Sequence, residues 1–233
     1  RTEPTHIAVL FDGEHENERS ELNADYKANR VDYSQTPEED SPFSQLPDVY
    51  DALDYMGIKH TETTACETDD WIAGYAHTYG ENTEVIVASF DSDFFQLITE
   101  NVPVLRYRGD NTVICTPAYL REKFGIEPSQ YADFKSLTGD ASDNIKGADK
   151  VGPKTASSLL SDFGNLENII LNAETIKKPS IRESILRNAD RLRTNYKLIN
   201  LEGTVQLPFT VEELPYTYDG VTTNEVLKGI GVK

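Results

Sequence analysis

The stretch Glu84-Val85-Ile86-Val87-Ala88-Ser89-Phe90-Asp91-Ser92-Asp93 decides the fold class. Residues 84–90 form a short run rich in β-branched and aromatic side chains. Such a run reads as a buried strand. In an open α/β sheet the carboxyl ends of strands face the crevice where sites are built. If the strand continues, Asp91 and Asp93, two residues apart, point to one face. An Asp-x-Asp pair alone is common at surface loop starts, so its meaning rests on its surroundings.

Upstream, His6–Phe11 is a second buried strand, closed by Asp12. Residues 17–29 are polar and can be helical, and residues 31–42, with Pro37 and Pro42, read as a loop. Phe43, Leu46, Val49, Tyr50, Leu53 and Met56 follow helical spacing, which Gly57 stops. Residues 58–63 read as a weak strand. A helix over 69–79 has Thr68 as its candidate cap and Gly80 as its end. Downstream come a short helix over 94–99 and a hairpin of 102–107 with 112–115 around Gly109-Asp110-Asn111. This alternation predicts an α/β layer over residues 1–115. Residues 116–233 read as a helical region, with helices over 117–124, 131–137, 155–163, 166–171 and 181–200. The tail from Val205 reads as a returning strand and a short last helix.

The acids fall in four clusters: Asp12; Glu67, Asp69 and Asp70; Asp91 and Asp93; Asp140 and Asp143. Converging carboxylates repel one another and stay ionised only with cations between them. Hard oxygen donors select Mg²⁺ or Mn²⁺ over zinc, and their number suggests two ions. Two such ions stabilise the attacking and leaving oxygens of an in-line phosphoryl displacement. No serine or histidine triad is evident.

Val151-Gly152-Pro153-Lys154-Thr155 opens a helix after a glycine, an arrangement that offers backbone N–H groups to a phosphate. Lys146 and Lys150 stand beside it. Taken without the acids, this would be an ordinary helix-packing joint. In Tyr26-Lys27-Ala28-Asn29-Arg30, an aromatic stands beside two cations. Tyr26 can stack on a base while Lys27 and Arg30 neutralise phosphates. Lys27 can also act on the scissile phosphate as an electrophile.

The chain has 233 residues, 40 acidic against 22 Lys and Arg, and a formal charge of −18. That balance argues against a nucleic-acid partner unless the acids serve as metal ligands. No apolar run approaches ~18 residues, so no membrane span is expected. No secretory signal pattern is evident. Cys66 and Cys115 are too few for a disulfide framework or a zinc site, and read as reduced cytosolic thiols.

Tyr26–Arg30, Glu67-Thr68-Asp69-Asp70, Asp91-Ser92-Asp93-Phe94-Phe95-Gln96-Leu97, Gly139–Ile145 and Val151–Ala156 together resemble the bacterial and bacteriophage 5′ nucleases. This is the family of flap endonucleases and 5′–3′ exonucleases that includes the N-terminal domain of bacterial DNA polymerase I. The likeness covers most of residues 4–172. It implies a PIN-like α/β sheet with flanking helices and a C-terminal helix-three-turn-helix DNA clamp. All eight acids named above would be direct or water-mediated ligands of two Mg²⁺ or Mn²⁺ ions, with Asp12, Asp91 and Asp93 at the reaction centre. Lys27 and Arg30 would belong to the arch or gateway that handles the 5′ strand, with Tyr26 among the DNA-binding residues. Lys146, Lys150, Val151, Gly152, Lys154 and Thr155 would grip duplex backbone, with K⁺ at the clamp.

The expected activity is hydrolysis of DNA phosphodiesters at 5′ ends or 5′ flaps by a cytoplasmic, bacterial or phage-encoded monomer. A non-catalytic binder of branched DNA and an RNA-directed PIN-type nuclease are the alternatives. The chain departs from the family pattern in three places. The usual first strand, with its Asp-Gly-Asn ligand, is not seen, which implies roughly 50 further residues upstream or a crippled site. Lys146 stands where the family has proline. Residues 14–18 are unusually acidic for a segment near DNA. With no polymerase segment after Lys233, a stand-alone protein is expected.

Overall fold

The computed structural model describes residues 2–13, 19, 22–23, 25–29, 36–37 and 40–232. It divides into two compact units. One comprises Arg1–His15, Val31–Thr68 and Gln206–Lys233; the other comprises Glu16–Arg30 and Asp69–Val205.

In the first unit β1 (Ala8–Phe11) pairs in parallel with β2 (Lys59–Glu62), Ala8 opposite Lys59 and Phe11 opposite Glu62. Parallel neighbours need a long crossover, and α1 (Leu46–Tyr55) lies within it. Ser41 caps the 3-10 turn Pro42–Gln45 that leads into α1, and Gly57 closes the far end at φ 67°. Contrary to its apolar sequence, β1 is only partly buried, because the pair forms a sheet of two strands. Phe11 meets Tyr50 edge-on at 4.9 Å, and Tyr50 stacks on His60 at 5.1 Å.

The returning strand expected in the tail is reduced to one antiparallel bridge, His6 with Pro215. Ile7 and Tyr216 supply the flanking backbone bonds, to Leu214 and Thr5. Pro215 has no N–H with which to extend a ladder. The last helix, Thr223–Gly229, opens with a capping box of Thr222 and Glu225. A Cβ on its Gly229 would lie 2.3 Å from the Tyr55 ring.

The second unit contains α2 (Thr68–Tyr79) from its second residue on, followed by β3 (Val87–Ala88), β4 (Val104–Arg106) and β5 (Val113–Cys115). β3 and β4 are parallel, and β4 and β5 form the expected hairpin. β3 is much shorter than the expected strand over 84–90. Val85, Val87 and Ser89 still donate to Asn101, Pro103 and Leu105. Pro103 cannot donate in return, which interrupts the ladder.

The helices α3 (Pro117–Phe124), α4 (Tyr131–Thr138), α5 (Pro153–Phe163), α6 (Leu166–Leu171) and α7 (Pro179–Ile199) follow, and the antiparallel ribbon of β6 (Gly139–Asp140) and β7 (Ile145–Lys146) lies between α4 and α5. Their ends are set by local chemistry: Thr116 caps α3, Gly125 ends it in the left-handed region, and Asn165 caps α6. One hydrophobic core joins the strands to these helices through Val87, Val104, Cys115, Leu160, Ile169 and Leu192.

An aromatic knot of Phe95, Phe124, Tyr131 and Phe134 forms its centre, with Phe95 edge-on to Tyr131 at 5.3 Å. Each such pair adds about 0.5–1.5 kcal/mol beyond the area it buries. Phe95 follows Asp93 by two residues, so this knot anchors the turn that carries the acid. Among the described residues, no helix is long and apolar enough to cross a membrane.

Candidate metal centre

Asp93, Asp140 and Asp143 converge in the second unit, each offering a carboxylate oxygen within 4.8 Å of the others. They reach that point from different elements. Asp93 opens the 3-10 turn Asp93–Leu97, Asp140 ends β6, and Asp143 sits in the tight turn before β7. The ribbon is pressed against the end of α4 where two glycines meet. A Cβ on Gly139 would stand 2.5 Å from the Gly147 nitrogen, and one on Gly147 would stand 2.3 Å from the Thr138 carbonyl carbon. Gln96 then ties the Asp93 turn to the end of α7. Its amide donates to the carbonyls of Asp93 and Ile199, and its oxygen accepts from Leu201 N–H at 2.9 Å.

The cluster contains a cation of its own. Lys135 on α4 is 9% exposed. Its ammonium lies 3.2 Å from Asp93 Oδ1 and donates to Asp140 Oδ2. Burial pushes Asp93 up to about 6; Lys135 opposes that rise and Asp91 adds to it. Burial would lower Lys135, but Asp93 and Asp140 outweigh it and hold the ammonium above the ordinary lysine range. Asp140 is held below the usual carboxylate range, because Lys135 and Ser142 overcome its own burial. Asp93 Oδ1 is buried and receives no hydrogen bond despite its closeness to Lys135. A buried, unsatisfied carboxylate oxygen among hard donors fits a divalent cation.

The other acids stand differently. Asp91 and Asp93 do not share a strand face: Asp91 is exposed in the loop after β3, and its Oδ1 accepts the Asp93 N–H at 2.9 Å. The chain turns at Ser92, so the two-residue period of a strand does not apply. Asp70 is held by both Nη groups of Arg19, at 2.7 and 3.0 Å. Asp69 stands beside it at the start of α2. Asp12 and Glu67 belong to the first unit. There Asp12 Oδ1 accepts both the N–H and the hydroxyl of Thr68, at 2.9 and 2.6 Å. Thr68 is therefore the first helical residue and a donor, not the capping acceptor expected of it. Glu67 is 7% exposed.

The segment around Lys27 is sewn to the turn that carries Asp143. Lys27 N–H donates to the Asp143 carbonyl, Asn144 Nδ2 to the Asp25 carbonyl, and Asn29 Nδ2 to the Ala141 carbonyl. Lys27 and Asn144 both take positive φ there, 56° and 58°. Tyr26 does not offer the base-stacking face read from the sequence. Its ring is 9% exposed and packs with Ala132, Ile145, Leu198 and Ile199, while the Lys27 ammonium lies 4.8 Å from its centroid. A hydrophobic anchor beneath the lysine is what the aromatic provides. Arg30 lies outside the described residues, as do residues 14–18.

At the expected clamp, Lys146, Lys150, Gly152 and Lys154 are exposed. Val151 is not a surface contact: its side chain is 4% exposed in the core, and its N–H donates to the Ala148 carbonyl. Thr155 is partly buried and donates its N–H to the Gly152 carbonyl. Gly152 has φ −92° and ψ −179°, and a Cβ there would meet nothing within 4 Å. Neither backbone strain nor packing within the chain requires a glycine. The side of the hairpin is supported from α7. Asn195 donates to the carbonyls of Ser136 and Lys146, and Arg191 to that of Gly147.

Sequence reasoning missed two site residues. Arg19 carried no signal in its polar stretch. Lys135 did carry one: it is the single cation in the otherwise apolar-rich run Tyr131–Leu137, five residues before Asp140.

Residues 1–125 match the family described as the 5′-3′ exonuclease N-terminal resolvase-like domain, and residues 126–220 match the 5′-3′ exonuclease C-terminal SAM fold. DNA polymerase I of Lactococcus lactis is 35% identical over 94% of this chain, though the match spans 26% of the polymerase. The chain thus spans about a quarter of the length of the curated polymerases it matches. The 5′-3′ exonuclease of Buchnera aphidicola is 32% identical over 89% of this chain and 73% of its own length. Among solved structures, the T5 5′-exonuclease with bound zinc superposes with TM-score 0.70 at 25% identity, covering 83% of this chain and 73% of that one. By sequence and by fold, the chain belongs to the 5′-3′ exonuclease family.

Proposed function

We propose that the protein is a divalent-metal-dependent 5′ nuclease that hydrolyses DNA phosphodiester bonds at 5′ ends and flaps. The observation that carries this reading is the buried oxygen of Asp93, left without a hydrogen bond among three converging carboxylates. Membership of the family supports the reaction class, and the T5 relative was solved with divalent metal bound. Another T5 structure, matching this fold, is described as a complex with DNA and metal ions.

Asp93, Asp140 and Asp143 would hold one Mg²⁺ or Mn²⁺. Asp69, Asp70 and Asp91, in the same unit, would offer carboxylates to a second ion. A divalent ion bound at such a site supplies Lewis-acid polarisation of a phosphoryl oxygen and a water of lowered pKa. The chain's own residues do the rest. Lys27, whose backbone is held on the Asp143 turn, would offer its positive charge to the phosphate as charge builds there. Lys146, Lys150 and Lys154 would grip the duplex backbone through charge, which fixes register without reading sequence. The open space over Gly152 lets a phosphate approach the backbone closely. K⁺ at this clamp, a monomeric state and a cytoplasmic setting complete the proposal.

The test is cleavage of a 5′-labelled DNA flap with Mg²⁺ or with chelator, beside Asp91→Ala/Asp93→Ala. Metal-dependent cutting at the junction, lost in the double variant, is the expected result. Equal cutting by the variant would sink the assignment of the site, and tight binding without cutting would reduce the protein to a flap-binding module.

A further inference from the structure

We propose that Lys135 is a resident counter-ion of the metal centre, a positioning residue that holds Asp93 and Asp140 in place and caps the positive charge the cluster can take. The inference rests on the reading of Asp93, Asp140 and Asp143 as metal ligands.

Three carboxylates gathered behind a hydrophobic core would repel one another and open the ribbon from the 3-10 turn. Lys135 prevents this. It rises from a helix whose neighbouring side chains, from Tyr131 to Leu137, are all buried. Tyr131 and Phe134, on the same helix, belong to the aromatic knot. Its ammonium reaches one oxygen of Asp93 and one of Asp140. Asp93 Oδ1 receives no hydrogen bond. These three acids and one lysine together carry a formal charge of −2, the charge that one divalent ion balances. A lysine suits this role: it is a compact point charge with three donors, which can serve two carboxylates at once.

The arrangement therefore trades affinity for order. A ligand set that is kept assembled needs no rearrangement when the ion binds. A cation already present also lowers the attraction for the incoming one. Lys135→Met, close in shape but neutral, separates these effects. With Mn²⁺ as the probe and unbound Mn²⁺ read by electron paramagnetic resonance, the full-length variant is expected to bind Mn²⁺ at least about tenfold more tightly, since one repelling charge at contact distance is removed. In EDTA the same variant is expected to unfold at lower temperature than the parent, and Mn²⁺ is expected to close that gap. Lys135→Arg, which keeps the charge, should follow the parent in EDTA. Lys135→Met/Asp140→Asn, which removes one charge of each sign, should recover metal-free stability.

Should Lys135→Met not fold, Lys135→Gln carries the same two readings. Folded neutral variants that bind Mn²⁺ no more tightly than the parent would overturn the proposal. A merely structural lysine would lower stability in EDTA and in Mn²⁺ alike. If Asp143→Asn binds Mn²⁺ as the parent does, the metal centre itself is misplaced, whatever Lys135 does.

Discussion

The acid cluster and the lysine hairpin lie in the same unit and deal with charge in opposite ways. Asp93, Asp140 and Asp143 are gathered at low exposure, with Lys135 built in to offset them. Lys146, Lys150 and Lys154 are exposed, and an Asp149 carboxylate lies 3.9 Å from the Lys146 ammonium. A buried set needs its charge offset within the fold before any ligand arrives, because unpaired charge in low dielectric is costly. An exposed set is satisfied by water and salt, and gives them up when a polyanion docks. The first should thus be sensitive to isosteric change and to pH, the second to ionic strength.

The largest effect should come from removing one carboxylate charge without changing its shape. Asp93→Asn is expected to slow single-turnover cleavage of a 5′ flap by about 10³-fold, the loss of several kcal/mol of charge stabilisation. A change under tenfold would mean that the buried cluster is not the centre.

The pH response of the metal-free protein comes next. Asp93 is raised in the folded state from 3.8 to about 6. Below its unfolded value both states are protonated and the carboxyl costs nothing. As pH rises from about 4 to about 6 the unfolded state releases its proton first, so stability falls, by about 3 kcal/mol in all. Urea unfolding in chelator at pH 4.5 and pH 7 should show this fall in the parent, and it should be much reduced in Asp93→Asn. An equal fall in both would assign it elsewhere.

Two glycines sharpen the contrast further. Gly147→Ala drives a Cβ into backbone and is expected to cost about 1–3 kcal/mol, read by thermal or urea unfolding. Gly152→Ala meets open space at an ordinary φ, and should leave stability within about 0.5 kcal/mol while weakening duplex binding. If both behave alike, Gly152 is not reserved for a phosphate. The smallest effect belongs to the clamp lysines. Lys154→Ala should lower the slope of log affinity against log salt by about 0.9, the share of one phosphate contact, and weaken all DNA sequences alike. Fluorescence anisotropy between low and moderate salt measures it.

Much of the helical half was legible. α3 and α6 coincide with the expected spans, because Thr116, Pro117, Gly125 and Asn165 are local end signals that act within one turn. Strands were less legible. β3 shrank because of Pro103 on its partner, a residue 16 positions beyond Val87, and β1 is less buried than its apolar run suggests. The acids were named in advance, but their roles were not. The Asp91–Asp93 spacing was read for a strand and found in a turn, so one acid is exposed where the other is buried.

What the sequence determined by itself was the inventory: which carboxylates exist, which lysines flank the glycine hairpin, where helices begin and end, and the family these motifs mark. Those properties are local in the chain, set by side-chain chemistry and backbone preference within a few residues. Tertiary structure alone decided which carboxylates meet, that Tyr26 is an anchor, that Val151 is core, and that Lys135 stands among the acids. Each depends on burial and on contacts between residues far apart in sequence, and burial is what turns an ordinary lysine or aspartate into part of a site.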